Sequence, residues 1–262
     1  MLHSGDEVNL DISSMITYEG LRLFLGPLYS MHLRMRCEGA DNVPESGGGL
    51  LVANHRSYAD PLVLGYCIER FINFAAGSHL YLVPGSRSIF KMIGFFEMNI
   101  YGGEQGDQSL GEGARLLSNG ELIGLFPEGI ESFMHVYSAS RIAQFKTGFA
   151  KLALENRVPI IPAAIIASEE KEIIKLPGRL VSSFVKHPDA RKGIDLITYR
   201  HVLCRIGRPI DLSAYYGEEE TKSVIDQIAA KVRRIVIKLY DGEDLDRFVT
   251  GETPFNFALD RV

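Results

Sequence analysis

The sequence predicts an α/β fold with a largely parallel central sheet flanked by helices, opened by an N-terminal amphipathic helical segment. Three observations predict it. Apolar runs of strand length recur at residues 50–53, 121–126 and 160–166; helix-patterned stretches lie between them at 110–117 and 145–154; and Gly, Pro or Asn punctuates the joins. Such alternation puts parallel strands beneath helices on both faces, with a site expected at the carboxyl ends of the strands.

Taken in order, residues 15–35 are rich in apolar side chains, with Leu21, Phe24, Leu25 and Leu28 on one helical face and Glu19 and Arg22 off it. That pattern suits a helix lying in a membrane interface and equally a first helix packed on the core; Gly26-Pro27 interrupts either one. Residues 33–37 alternate with period two before the turn residues Gly39 and Pro44, which predicts a strand. Gly47-Gly48-Gly49 then hands over to a buried strand at 50–53 that ends at Asn54-His55. Asp60-Pro61 follows as a helix cap and first-turn proline, so the chain passes from strand to helix between His55 and Asp60. Beyond the central units, 198–207 reads as a later strand, and Val224, Ile228, Val232, Ile235 and Leu239 mark an amphipathic helix. Between them, residues 168–200 mix bases (Lys171, Lys175, Arg179, Arg191) with Leu180, Val181 and Phe184. This stretch suits a lipid-facing insertion, but Glu169, Glu170, Glu172, Asp189 and Asp195 dilute its basic character and favour a solvated excursion.

Length and charge narrow the classes. A chain of 262 residues without a compositional break predicts one domain over 1–262: an N-terminal segment to 32, a core at 33–212, and a C-terminal helix and tail at 213–262. A net charge of -5 with scattered Lys and Arg disfavours nucleic acid as a partner. Cys37, Cys67 and Cys204 form no C-x-x-C pair and read as buried, reduced thiols of a cytosolic protein. No signal peptide and no apolar run of membrane-spanning length is visible. The seven histidines show no ligand-like spacing with acids or cysteines, so neither a metal nor another cofactor is expected.

His55 and Asp60 face each other across a short turn. A carboxylate beside an imidazole fixes one tautomer and stabilises the cation formed on protonation, which is the design of a general base; capped turns with no further duty are the commoner use of the same residues. No G-x-S-x-G elbow, G-x-x-x-x-G-K-[ST] or H-E-x-x-H accompanies the pair. Covalent acyl-enzyme chemistry, phosphoryl transfer and zinc hydrolysis therefore lose support, and direct transfer to a bound hydroxyl remains.

The run Asn54-His55-Arg56-Ser57-Tyr58-Ala59-Asp60 resembles the N-H-x-x-x-x-D signature of the glycerolipid acyltransferase superfamily, which includes the 1-acylglycerol-3-phosphate acyltransferases. Phe126-Pro127-Glu128-Gly129 is similar to that family's F-P-E-G block, Phe145-Lys146-Thr147-Gly148 to its F-K-x-G, Val158-Pro159-Ile160-Ile161-Pro162 to its V-P-I-x-P, and Gly207-Arg208-Pro209-Ile210 to its G-x-P-I. Jointly, in order and spacing, these blocks favour the general-base reading over the capped turn across roughly 33–212.

The resemblance implies transfer of a fatty acyl group from acyl carrier protein or acyl-coenzyme A, as co-substrate, to a glycerolipid hydroxyl. Lysophosphatidate is the default acceptor, in phospholipid biosynthesis, by a protein at the cytoplasmic face of a membrane. His55 would be the base and Asp60 its orienting partner; Asn54, Arg56, Pro127, Glu128, Gly129 and Lys146 would bind substrate. The family's two phosphate-binding arginines are replaced here, at Glu131 and near Tyr101. Arg56, Arg87, Lys91, Arg141 and Lys146 are the candidate substitutes. A monoacylglycerol, another lysolipid, or water in a thioester hydrolase are the alternative acceptors.

Overall fold

The structure is a computed structural model that describes residues 33–77, 93–98, 104–129, 142–184, 188–216 and 221–243, with isolated positions between 16 and 31 and between 81 and 90. The elements run β1 (Arg36–Glu38), β2 (Gly49–Ala53), α1 (Asp60–Cys67), β3 (Ile72–Gly77), β4 (Phe95–Met98), α2 (Glu104–Ser118), β5 (Leu122–Leu125), α3 (Gly148–Glu155), β6 (Ile160–Leu176), α4 (Gly178–Phe184), β7 (Ile194–Ile206) and α5 (Lys222–Asp241). Among the described residues one seven-stranded sheet has the order β1-β7-β6-β2-β5-β3-β4. Every neighbouring pair is parallel except β6 with β7, so the largely parallel α/β fold is borne out.

β2 occupies the centre of this sheet, and all five of its residues are buried. Alternate side chains leave a strand on opposite faces. Leu50 and Val52 accordingly join a core with Ile123, Leu152, Val232 and Val236 beneath α2, α3 and α5, while Leu51 and Ala53 join a second with Val63, Leu64, Phe74 and Tyr199 beneath α1. The continuous apolar run therefore marks a strand covered on both sides. Burying each such Leu or Val contributes about 1.5–3 kcal/mol.

Four expectations change in detail. The excursion at 168–200 is in large part the antiparallel continuation of β6 and β7, paired from Ala163↔Ile206 to Leu176↔Ile194, with α4 packed through Val181 on Ala190, Leu176 and Ile194. Glu169, Glu170, Lys171 and Glu172 follow one another along the exposed β6 stretch of this two-stranded arm, so no period-two hydrophobic alternation marks that stretch as a strand. α1 begins at Asp60 with Ala59 in the capping position, so Asp60 is not the cap; its carboxylate points back into the preceding turn. β3 and β4 extend the sheet beyond the predicted strands. Lastly, Cys37 and Cys67 are joined in a disulfide, with Cα atoms 5.6 Å apart, which corrects the reading of three reduced thiols. The parallel sheet edge carries β1 past the last turn of α1, a proximity that their separation of 30 residues does not disclose. Cys204 is buried and unpaired, its thiol pushed up to about 12 by burial.

The predicted C-terminal helix is α5. Thr221 Oγ1 accepts the Val224 N–H at its start, and Gly242, left-handed at φ 81°, closes its end. Of the N-terminal segment, positions 16, 17, 19, 20, 23 and 31 are helical, with Ile16, Leu23 and Met31 exposed; the predicted apolar face of Leu21, Phe24, Leu25 and Leu28 lies outside the described residues. No helix among the described residues is long and apolar enough to cross a membrane.

Candidate active site

β2 and β5 are adjacent and parallel, so the segments leaving their carboxyl ends, Asn54 to Asp60 and Phe126 to Gly129, emerge side by side. At the end of β2 the Asn54 amide takes over from the backbone ladder: Nδ2 donates to Ile165 O at 2.9 Å and Oδ1 accepts from Ile165 N at 2.8 Å. The main chain is thereby released from the sheet while the side chain still ties it to β6. The sequence reading grouped Asn54 with the substrate; in the structure both ends of its amide meet the backbone.

Asp60 is fully buried, and a buried carboxylate is tolerated only when its lone pairs are met. Here they are. Oδ2 lies 2.7 Å from His55 Nδ1 and accepts the Arg56 N–H at 2.8 Å and the Ser57 N–H at 2.9 Å, while Oδ1 accepts the Tyr199 hydroxyl at 2.7 Å. A carboxylate partner assigns the proton of the neutral ring to Nδ1, which makes Nε2 the nitrogen with the acceptor lone pair. His55 keeps a 13% exposed side chain, and its ring stacks on Phe126 with centroids 4.0 Å apart and planes at 17°. Phe126 stacks in turn on Phe74 at 6.0 Å, so apolar packing fixes the ring that the carboxylate orients.

Glu128 is 1% exposed. Its Oε1 accepts the His55 backbone N–H at 2.8 Å and its Oε2 the Ala143 N–H, so the side chain, leaving the end of β5, ties the main chain after β2 to the segment at Ala143. Burial raises its carboxyl above the ordinary glutamate range, and the N–H groups of Ala143 and His55 pull it back. Gly129 adopts φ 69°, a left-handed conformation open to glycine at no cost, and its N–H closes a turn on Phe126 O at 3.1 Å. The Pro127 carbonyl accepts the Lys146 N–H at 2.9 Å, which joins the F-P-E-G and F-K-x-G blocks through their backbones; the Lys146 side chain is exposed. The Arg56 guanidinium makes a fork on Glu170, with Nε at 2.6 Å and Nη2 at 2.8 Å from the two oxygens, and that pairing raises its already high pKa. Arg87 pairs with Glu97 at 3.0 Å. Tyr101, Glu131, Lys91 and Arg141 lie outside the described residues.

The structure thus gathers His55, Asp60, Arg56, Asn54 and Glu128 at one end of the sheet and adds residues that sequence reasoning missed. Tyr199 comes from β7, and the Ser57 hydroxyl donates to Ile197 O on the same strand at 2.6 Å. Glu170 comes from β6, and Phe126, read from the sequence only as a motif position, stacks its ring on His55. A period-two signal could have put Tyr199 on the inner face of β7, but only the antiparallel turn of β6 into β7 returns it to Asp60.

The model of the Acyltransferase family matches residues 34–166, about half of the 262-residue chain. The chain belongs to the acyltransferase family. Its matched region holds His55, Asp60 and Glu128, whereas Tyr199 lies beyond it. This acyltransferase-family chain is 22% identical over 210 residues to the 1-acyl-sn-glycerol-3-phosphate acyltransferase of Borreliella burgdorferi, covering 80% of this chain and 76% of that protein. It is 27% identical over 137 residues to the Bacillus subtilis protein of the same name, covering 52% and 64%. An uncharacterized protein of Mycobacterium leprae is 28% identical over 165 residues, and there the match spans 57% of this chain and 41% of the longer relative. Uncharacterized proteins of Mycobacterium tuberculosis are matched over 46% of their length, so the chain spans less than half of these mycobacterial relatives. Among solved structures, the 1-acyl-sn-glycerophosphate acyltransferase PlsC of Thermotoga maritima superposes with a TM-score of 0.55 at 19% identity, covering 91% of this chain and 84% of that one, a likeness of fold.

Proposed function

We propose that the chain transfers a fatty acyl group from a thioester to the hydroxyl of a glycerolipid, with His55 as general base. The observation that carries this reading is the 2.7 Å contact of His55 Nδ1 with buried Asp60, set at the carboxyl end of the central strand in a chain of this family. As the acceptor oxygen attacks the thioester carbonyl carbon, Nε2 of His55 takes the hydroxyl proton. The tetrahedral intermediate then expels the thiolate, which recovers the proton from the imidazolium. Asp60 holds the ring and stabilises its cationic form, a contribution of about 10²–10⁴ in rate for the acid–base step. Seating both substrates against one ring adds up to about 7–11 kcal/mol, so the groups that hold the acceptor matter as much as the base.

The names of the Borreliella and Bacillus relatives support lysophosphatidate as acceptor, with acyl-coenzyme A or acyl carrier protein as donor and phosphatidate as product. A second reading, a phosphate-free acceptor such as monoacylglycerol, is favoured by one specific contact: Arg56, the basic residue next to the base, is already engaged by Glu170. Exposed Tyr58 and Leu62 flank the catalytic turn, and exposed Ile173 and Ile174 lie along the arm that carries Glu170, which suits work at a lipid surface. The thioester donors put that surface on the cytoplasmic side; the Cys37–Cys67 bond is the feature that runs against that compartment.

The test offers both donors and both acceptors to detergent-solubilised wild type and His55→Ala. Acylated product that disappears in the variant is the expected result. Thioester hydrolysis without acylation, or product undiminished in His55→Ala, would overturn it.

A further inference from the structure

α5 lies outside the matched family region, yet it reaches the site. Arg233, in the middle of this helix, donates from Nε to Ala143 O at 2.6 Å and from Nη2 to Ile142 O at 2.7 Å. The two carbonyls are consecutive, so the planar fork of the guanidinium sets the position and orientation of the 142–143 peptide, which a point-like ammonium cannot do. The N–H of Ala143 donates to Glu128 Oε2, and Glu128 Oε1 accepts the His55 N–H at 2.8 Å. A chain of hydrogen bonds therefore runs from α5 to the main chain of the base through a carboxylate that is 1% exposed. We infer that Arg233 is a positioning residue for His55, acting through the Ala143 peptide and Glu128; the inference rests on the proposed role of His55.

Two further observations support it. Ile142 is itself buried in the core cluster that holds Val232 and Val236 of α5, so segment and helix are packed together as well as bonded. In addition, the Ala143 N–H is the largest influence that keeps the Glu128 carboxyl from rising further with burial; the charged and titratable groups felt there are His55, which favours the carboxylate, and Asp60, which opposes it. Without Arg233 the 142–143 peptide is free to rotate its N–H away. Glu128 would then sit buried with one oxygen unmet and take up a proton more readily.

The test compares the full chain with Arg233→Met, Arg233→Lys and a control, Arg234→Met, whose side chain is exposed on the same helix. Three quantities are read: the melting temperature, the pH profile of kcat, and the ¹³C shift of the Glu128 carboxyl against pH. Arg233→Met is expected to lower kcat about tenfold to a hundredfold, as small misplacements of a catalytic group do. The KM should stay within about twofold, and both the Glu128 titration and the acid limb of kcat should move to higher pH. Arg233→Lys should restore part of each, and Arg234→Met should match wild type. The carboxyl titration needs no turnover. A shifted titration in a protein without transferase activity would therefore sink the functional reading while leaving the bonded chain standing. A kcat loss that follows melting temperature alone, with the titration and the acid limb unmoved, would overturn the inference itself.

Discussion

The hydroxyl of Tyr199 donates to Oδ1 of Asp60 at 2.7 Å, across 139 residues of sequence and from the strand that β6 pairs with in antiparallel fashion. It meets the half of the carboxylate that His55 does not use. Replacing Tyr199 by Phe leaves a buried anion one donor short, which costs about 1.5–3 kcal/mol for a bond to a charged group. Denaturant unfolding should show that loss, with kcat reduced but measurable. Asp60→Asn is expected to be worse for catalysis than for folding. Its carbonyl can keep the three donors at Oδ2 and its amide can donate to the Tyr199 oxygen, yet no charge remains to hold the protonated ring. We expect kcat to fall by at least about 10².

Glu128 ties folding stability to pH. Its carboxyl is raised in the folded state, chiefly by burial, so the folded chain binds that proton more tightly than the unfolded chain does. Its contribution is therefore most favourable below the ordinary glutamate range and is lost as pH rises from 4.5 through the raised value. Glu128→Gln should flatten that part of the curve of unfolding free energy against pH. The variant should also lose activity, because one of the His55 and Ala143 N–H groups then faces an amide that donates. An unchanged slope between wild type and variant would contradict this account.

Arg56 and Glu170 form a testable specificity element. If the carboxylate keeps the guanidinium from an anionic headgroup, Glu170→Gln should raise kcat/KM for lysophosphatidate relative to monoacylglycerol, by about tenfold for the 1.4 kcal/mol of one recovered charge-assisted contact. A fall for both acceptors would instead mean that the pair only braces the arm against the turn that holds Arg56.

Packing at the sheet offers a prediction independent of chemistry. A Cβ at Gly124 would lie 2.5 Å from Phe74 Cδ1 and 2.9 Å from Ile72 Cγ2, so Gly124→Ala must displace an aromatic side chain that backs Phe126. Overpacking of this kind costs about 1–3 kcal/mol. The melting temperature should drop, and activity should drop with it, because the stack beneath His55 is disturbed.

What the sequence disclosed, and what it hid, follows from which signals are local. The strand at 50–53, the turn to Asp60 and the C-terminal helix are written in neighbouring residues, and each is present. The role of Asp60 was legible as a partner of His55 because five residues separate them, although its service as a helix cap was not borne out. Tyr199, Glu170 and Arg233 were illegible for the opposite reason: each meets the site through the return of a distant element. The Cys37–Cys67 bond was misread on the same ground, since no spacing rule says that β1 passes the end of α1. Asn54, Glu128 and Arg56 were found as motif positions. Their partners, the backbone of Ile165, the N–H groups of His55 and Ala143, and Glu170, became visible only with the fold.

β2 stands fourth of seven in the sheet, hydrogen-bonded on both sides and covered on both faces. Amide protons of such a strand exchange only when the whole domain opens, while those of outer strands such as β4 and of the arm exchange through smaller excursions. The backbone that leads into His55 is therefore tied to the slowest-exchanging part of the molecule. The edges and the arm can breathe while His55 stays in register, and inactivation by heat or denaturant should coincide with global unfolding instead of preceding it.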